Sequence, residues 1–93
     1  MRPLTLEDFS GRVGTTYEVL VDGAPLPLRL EEAEPLSDSG RTGGSFRLMF
    51  RGPGDPVLPQ ATYQFRQDAD LCEIFVVPIG RGPDGIAYEA VFF

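Results

Sequence analysis

The residues able to do chemistry are few and scattered. Histidine is absent, and Cys72 is the single cysteine. Without imidazole the chain lacks the commonest general base and the commonest metal ligand, which excludes Ser-His and Cys-His catalysis within it and most zinc sites. Cys72 stands in the apolar run Leu71-Cys72-Glu73-Ile74-Phe75-Val76-Val77 with no cationic neighbour to favour a thiolate. It reads as a small buried hydrophobe with no disulfide partner in the chain.

Carboxylates are the remaining candidates. Glu18, Glu73 and Glu89 fall in segments with strand periodicity, where paired acids can run acid–base chemistry. Arg29, Arg47, Arg51 and Arg66 occupy segments of the same kind, and cross-strand ion pairs on a solvated sheet face account for both sets without a reaction. Glu73 and Glu89, each flanked by apolar residues, are the two with partial burial against an arginine as the alternative. Asp38, Asp55, Asp68, Asp70 and Asp84 lie in loops that lack the dense acid alternation and closing Glu of a calcium loop, so they read as turn residues. The glycine-rich stretches Gly40-Arg41-Thr42-Gly43-Gly44 and Gly80-Arg81-Gly82-Pro83 precede no helical pattern whose N-terminus could receive a phosphate. The expectation is a chain with no catalytic residue, no metal site and no cofactor.

The elements that must position these residues are mostly strands. Thr5-Leu6-Glu7-Asp8-Phe9 suggests a short helical turn, with Thr5 as its cap. From Thr15 to Val21 the apolar period becomes two, with Tyr17, Val19 and Val21 on one face. Asp22-Gly23 marks a tight hairpin, because both central residues of a type I′ turn need positive φ. Ala24 to Glu31 forms the second strand, with Leu26, Leu28 and Leu30 on one face; Pro25 and Pro27 cannot donate to a ladder and place its start at a sheet edge. After Glu32 the pattern dissolves into a flexible loop over residues 37–44.

Further strands are expected over residues 45–51, with Phe46, Leu48 and Phe50 inward and Met49 outward, and over residues 61–66, with Tyr63 and Phe65 on the apolar side. Residues 71–77 read as a strand apolar on both faces that Pro78 stops or bends, and residues 86–93 as the last strand, with Tyr88 and Phe92 on one face. The fold class is therefore all-β: a single domain over residues 1–93, a small antiparallel β-sandwich or partly open barrel of about six strands.

Composition bounds the function. An apolar share of 42% with seven Phe and three Tyr supports one packed core in 93 residues. The net charge of −6 disfavours nucleic acid, whose phosphates need a cationic surface. All eight basic residues are arginine, and Lys, Asn, His and Trp are missing, as in chains from GC-rich bacterial genomes. No run approaches transmembrane length and the N-terminal residues lack a signal-peptide core, so no membrane insertion and a cytoplasmic location are the default expectations. Export by a route without a cleaved signal would leave no mark.

The motifs Leu4-Thr5-Leu6-Glu7-Asp8-Phe9, Leu58-Pro59-Gln60-Ala61-Thr62-Tyr63, Ile74-Phe75-Val76-Val77-Pro78-Ile79-Gly80 and Tyr88-Glu89-Ala90-Val91-Phe92 resemble those of a family of small bacterial all-β proteins about this long. The resemblance spans nearly the whole chain. It implies no activity and no catalytic residue; what it implies is company with phage-tail-like or tail-fibre-like genes, and hence an assembly or adaptor role.

Two readings follow. The first is a non-enzymatic module that binds another protein or copies of itself, with Leu26, Leu28, Met49, Tyr88, Phe92 and Phe93 as its candidate surface and the last strand as an edge open to strand addition. The second is a small-molecule or carbohydrate binder, or a minimal enzyme, gathering Tyr63, Arg66, Tyr88 and Glu89 on a concave sheet face.

Overall fold

A computed structural model describes residues 4–36 and 44–92 of the protein. Six antiparallel strands follow a single helical turn, α1 (Glu7–Ser10): β1 (Thr16–Val21), β2 (Ala24–Pro35), β3 (Phe46–Gly52), β4 (Ala61–Gln67), β5 (Asp70–Gly82) and β6 (Gly85–Phe92). They close into a barrel in the order β1-β2-β3-β6-β5-β4, with β4 pairing back onto β1. The all-β, six-stranded expectation holds, and of the two architectures the barrel is the one formed, without an opening in the strand order.

Turn chemistry fixes the registers. Asp22 (φ 51°) and Gly23 (φ 83°) join β1 to β2, pairing Val21 with Ala24. Asp68 (φ 54°) lies between Gln67 and Asp70, the last pair of β4 and β5. Gly85 (φ 113°) follows the β5–β6 turn at a place where a Cβ would collide with the carbonyl oxygen of Gly52 on β3, so only glycine lets these two segments approach.

Strand alternation then sorts the side chains. Phe46, Leu48 and Phe50 are fully enclosed while Arg47, Met49 and Arg51 point outward from the same strand. Tyr17, Val19, Leu28, Leu30, Phe65, Ile74, Val76, Ile86, Tyr88 and Ala90 also line the interior.

A closed barrel still has two open ends, and one apolar residue plugs each. At the end formed by the start of β1 and the finish of β6, α1 sets Phe9 against Phe46 and Phe92, with ring centroids 5.9 and 6.2 Å away, and those two rings stack at 4.4 Å. At the opposite end the β3–β4 connection lays Leu58 over the interior, where its backbone N–H donates to the Tyr88 hydroxyl at 2.9 Å. Each plug ties a non-strand segment to the core.

Several expectations change. β2 does not dissolve after Glu32: a bulge between Leu30 and Glu32 shifts its register, and it pairs with β3 as far as Pro35. The acids of Glu31-Glu32-Ala33-Glu34 hide the strand because they face arginines of β3. β5 passes through Pro78 to Gly82, since the proline falls beside a second bulge, between Pro78 and Gly80. Pro25 and Pro27 pair with Leu20 and Glu18, and β3 joins β2 only from Arg29, so the prolines occupy a stretch with one laddered neighbour. β6 lies between β3 and β5 and is not an open edge. Thr5 does not cap α1; its N–H and hydroxyl both donate to Asp8 Oδ2, at 2.7 and 3.3 Å. The loop assigned to residues 37–44 lies, except for Gly44, outside the described residues.

Phe9→Ala should lower unfolding free energy by about 3–5 kcal/mol and Leu58→Ala by about 2–5 kcal/mol, the cost of a cavity at a site that cannot collapse. Urea denaturation followed by circular dichroism measures both; a change below about 1 kcal/mol would show that the plug is dispensable.

Candidate functional site

With the interior filled, the chemistry falls on the outer wall and at the ends. On the wall, pairing fixes which side chains are neighbours. Met49, Glu89 and Val77 form one row across β3, β6 and β5, and Arg47 and Val91 begin the next, with Phe75 two residues along β5 from Val77 and paired to Thr62 of β4. All point away from the core. Phe75 and Val91 are each 50% exposed, while Met49 and Val77 are half-buried. Four apolar side chains therefore share one outer face.

Charges border this band. Arg47 Nε donates to Glu89 Oε2, and its Nη1 lies 3.5 Å from Glu34 and 3.9 Å from Glu32. The hydrogen bond to Glu89 raises the Arg47 pKa above its ordinary value. Glu32 is raised as well, first by a side-chain hydrogen bond with Glu34 and then by partial desolvation and that neighbour's charge. Elsewhere on the wall Arg66 meets Glu18 at 3.1 Å and Arg51 meets Glu31 at 3.3 Å. Cross-strand ion pairing thus accounts for Glu18 and Glu89. Glu73 is exposed and has no ion-pair partner among the described residues.

The residues singled out from sequence divide sharply. Leu28 and Tyr88 are 0% exposed and belong to the core, so neither can contribute to a surface; the period-two pattern that drew attention to them marks the inward face. Leu26 and Phe92 are half-buried and pack against the core. Met49 faces outward, as expected, and Phe93 lies outside the described residues. The alternative set does not converge. Tyr63 donates its hydroxyl to the Pro59 carbonyl at 2.7 Å, Arg66 and Glu89 are on the outer wall in separate ion pairs, and Tyr88 is inside. Closure makes the concave face the core, which leaves no inner face for a ligand.

A cavity of about 210 Å³ lies beside α1, between that turn and the start of β5, lined by Phe9, Arg12, Tyr17, Phe65, Asp70 and Cys72 among others. Arg12 holds the seam closed: it donates to Asp70 at 2.6 Å and to Gln67 at 2.9 Å, and Gln67 donates in turn to Thr15 and to the Thr16 carbonyl. Asp8 accepts from Thr5. Among the described residues no buried side-chain polar atom lacks a partner, so nothing in this seam calls for a ligand. Nor do three or more His, Cys, Asp or Glu side chains gather there or elsewhere among the described residues in a way that could hold a metal ion. No helix among them is long and apolar enough to cross a membrane.

The sequence missed Val91, hidden in a final strand read for its aromatic face, and Arg12, which pairs with a residue 58 positions away. Phe75 is visible in the sequence, but in a strand apolar on both sides it reads more readily as part of a filled sandwich interior.

Fold and wall together define a class: a small closed six-stranded antiparallel barrel whose interior is all core and whose distinguishing chemistry is external. A family model described as a domain of unknown function, DUF6916, matches residues 4–92, and the chain belongs to that family. Comparison with curated proteins and with solved structures gave no match.

Burial raises the Cys72 thiol and the Tyr17 phenol above their ordinary values of 9.0 and 10.0. The fold favours both neutral forms, so their contribution to stability is fully present below the unfolded values and lost as pH rises through the folded ones. The apparent Tm should be flat from neutral pH to about 8.5 and fall above about 9, and Tyr17→Phe should shallow that fall. At pH 8 the native thiol should react with Ellman's reagent at least about tenfold more slowly than in urea; equal rates would place the sulfur in solvent.

Proposed function

We propose that this domain is a non-enzymatic protein-interaction module that docks through the outer wall of β3, β6 and β5. The observation that carries this reading is the presence of two half-exposed apolar side chains, Phe75 on β5 and Val91 on β6, on the outer wall that also bears Met49 and Val77. Single apolar residues on a surface are ordinary, but a contiguous group is costly to leave in water and marks a place where another surface lands. Phenylalanine and methionine are also the residue types enriched at such contacts. The molecule measures 37 × 28 × 22 Å, and its broad side has room for the roughly 800 Å² per partner of a standard interface.

Several features of the chain fit a binding role better than an enzymatic one. It has no histidine, its outward carboxylates Glu18 and Glu89 are in ion pairs, and its thiol is held neutral by burial. A rigid barrel with both ends plugged suits a part whose job is to present a fixed face. The resemblance of its motifs to those of small bacterial proteins that look like companions of phage-tail-like genes suggests the setting, an accessory of a tail-like or tail-fibre-like assembly.

Photo-crosslinking in the native host tests this. With p-benzoylphenylalanine in place of Phe75, a discrete crosslinked protein should form, whereas the same group in place of Arg29, on β2 across the barrel, should give none. Phe75→Ser should weaken the interaction by about 2 kcal/mol or more while changing unfolding free energy by less than about 1 kcal/mol. No crosslink at position 75, or equal crosslinking at both positions, would overturn the reading.

A further inference from the structure

On the outer wall of β3, β6 and β5 an apolar band is bordered by carboxylates, and that combination points to a kind of partner. The apolar band runs through Met49, Val77, Phe75 and Val91. Glu32 and Glu34 border it from β2, where they pair with Met49 and Arg47; Glu73 borders it on β5; Glu89 lies between Met49 and Val77. Against these four carboxylates the band sets one guanidinium, Arg47, already committed to Glu89 and approached by Glu34 and Glu32. The next outward arginines are drawn away, Arg51 to Glu31 and Arg66 to Glu18.

An apolar centre with a surplus of negative charge discriminates among occupants. A second copy landing face to face would bring the same carboxylates together, and the chain's net charge of −6 adds to that repulsion. An anionic partner meets the same barrier. A cationic one gains at encounter and in registry, because the side chains of Glu32 and Glu34, 55% and 51% exposed, retain freedom to meet a guanidinium or ammonium at the rim. Affinity then comes from covering Phe75 and Val91, and selection from the carboxylates around them.

Building on the interaction-module reading, we infer that the wall docks a protein segment whose apolar side chains are flanked by arginine or lysine. The test uses the full chain, isotope-labelled for NMR, and three synthetic peptides that share one Leu-Phe-Val core flanked by arginine, by glutamine or by glutamate. The arginine-flanked peptide should shift the amide resonances of Met49, Phe75, Val77 and Val91. Its affinity should fall roughly tenfold between low salt and about 0.5 M salt, and by a similar factor in the double variant Glu32→Gln, Glu34→Gln. Phe75→Ser should abolish the shifts. The glutamate-flanked peptide should leave the spectrum unchanged. These side chains are exposed, so the variants keep the native spectrum as an internal control. Equal binding of the glutamine- and arginine-flanked peptides at the same residues would overturn the charge selection and leave the docking wall standing. No shift on the wall from any peptide, or cationic binding confined to other residues, would overturn both.

Discussion

Closing six strands on themselves gives every strand two neighbours, and that constraint governs the rest of the molecule. Inward and outward positions alternate along each strand between its bulges, so closure turns one set into core and leaves the other on the wall. The interior is filled by Phe, Tyr, Leu, Ile and Val side chains that are almost wholly withdrawn from water. Such a barrel has no lumen in which to hold a ligand. The concave face lined by Tyr63, Arg66, Tyr88 and Glu89 does not form, because closure disperses those residues between interior and exterior.

The ends show how a small chain manages without a larger core. At one end α1 offers too little helix to be stable alone, yet Phe9 joins the Phe46–Phe92 stack and Arg12 reaches Asp70 and Gln67 at the β4–β5 hairpin. At the other, Leu58 plugs the opening while its N–H pairs with the Tyr88 hydroxyl, the one polar atom that a fully buried tyrosine must satisfy. Close approach at that end is possible because Gly52 and Gly85 carry no Cβ; one added to Gly52 would stand 3.0 Å from Leu28 Cδ1 and 3.2 Å from Tyr88 Cε2. These local arrangements convert irregular segments into parts of the core.

Much of the fold was legible because local chemistry and global architecture agree. Alternation located all six strands, and Asp22-Gly23 located a hairpin whose φ values are positive at both residues. What local pattern could not carry was long-range pairing. The acidic tail of β2 looks like loop until Arg47 and Arg51 are placed opposite it, and Pro78 looks like a terminator until a bulge absorbs it. Edge status was misjudged for β6 because being an edge is a property of the closed sheet and of no strand alone. For the same reason the candidate surface mixed two parities: Leu28 and Tyr88 caught attention by their period, which is what makes them core, whereas Met49 lies on the outward side.

The outward face of β5 bears hardest on the docking proposal. The strand's place in the barrel is secured by Ile74 and Val76, which are inside, and by ladders to β4 and β6. Folding therefore asks only for a residue tolerant of extended backbone at position 75, and threonine, as at its partner Thr62, would satisfy that. A half-exposed phenylalanine there adds water-facing apolar area without adding to the core. Its neighbours compound the cost, since Val91 is equally exposed and Arg47, the one cation able to shield the band, is held by Glu89 and crowded by Glu32 and Glu34. The stability of the barrel does not require Phe75 and Val91 on this wall with carboxylates around them, and the proposed cationic, apolar partner surface would account for them.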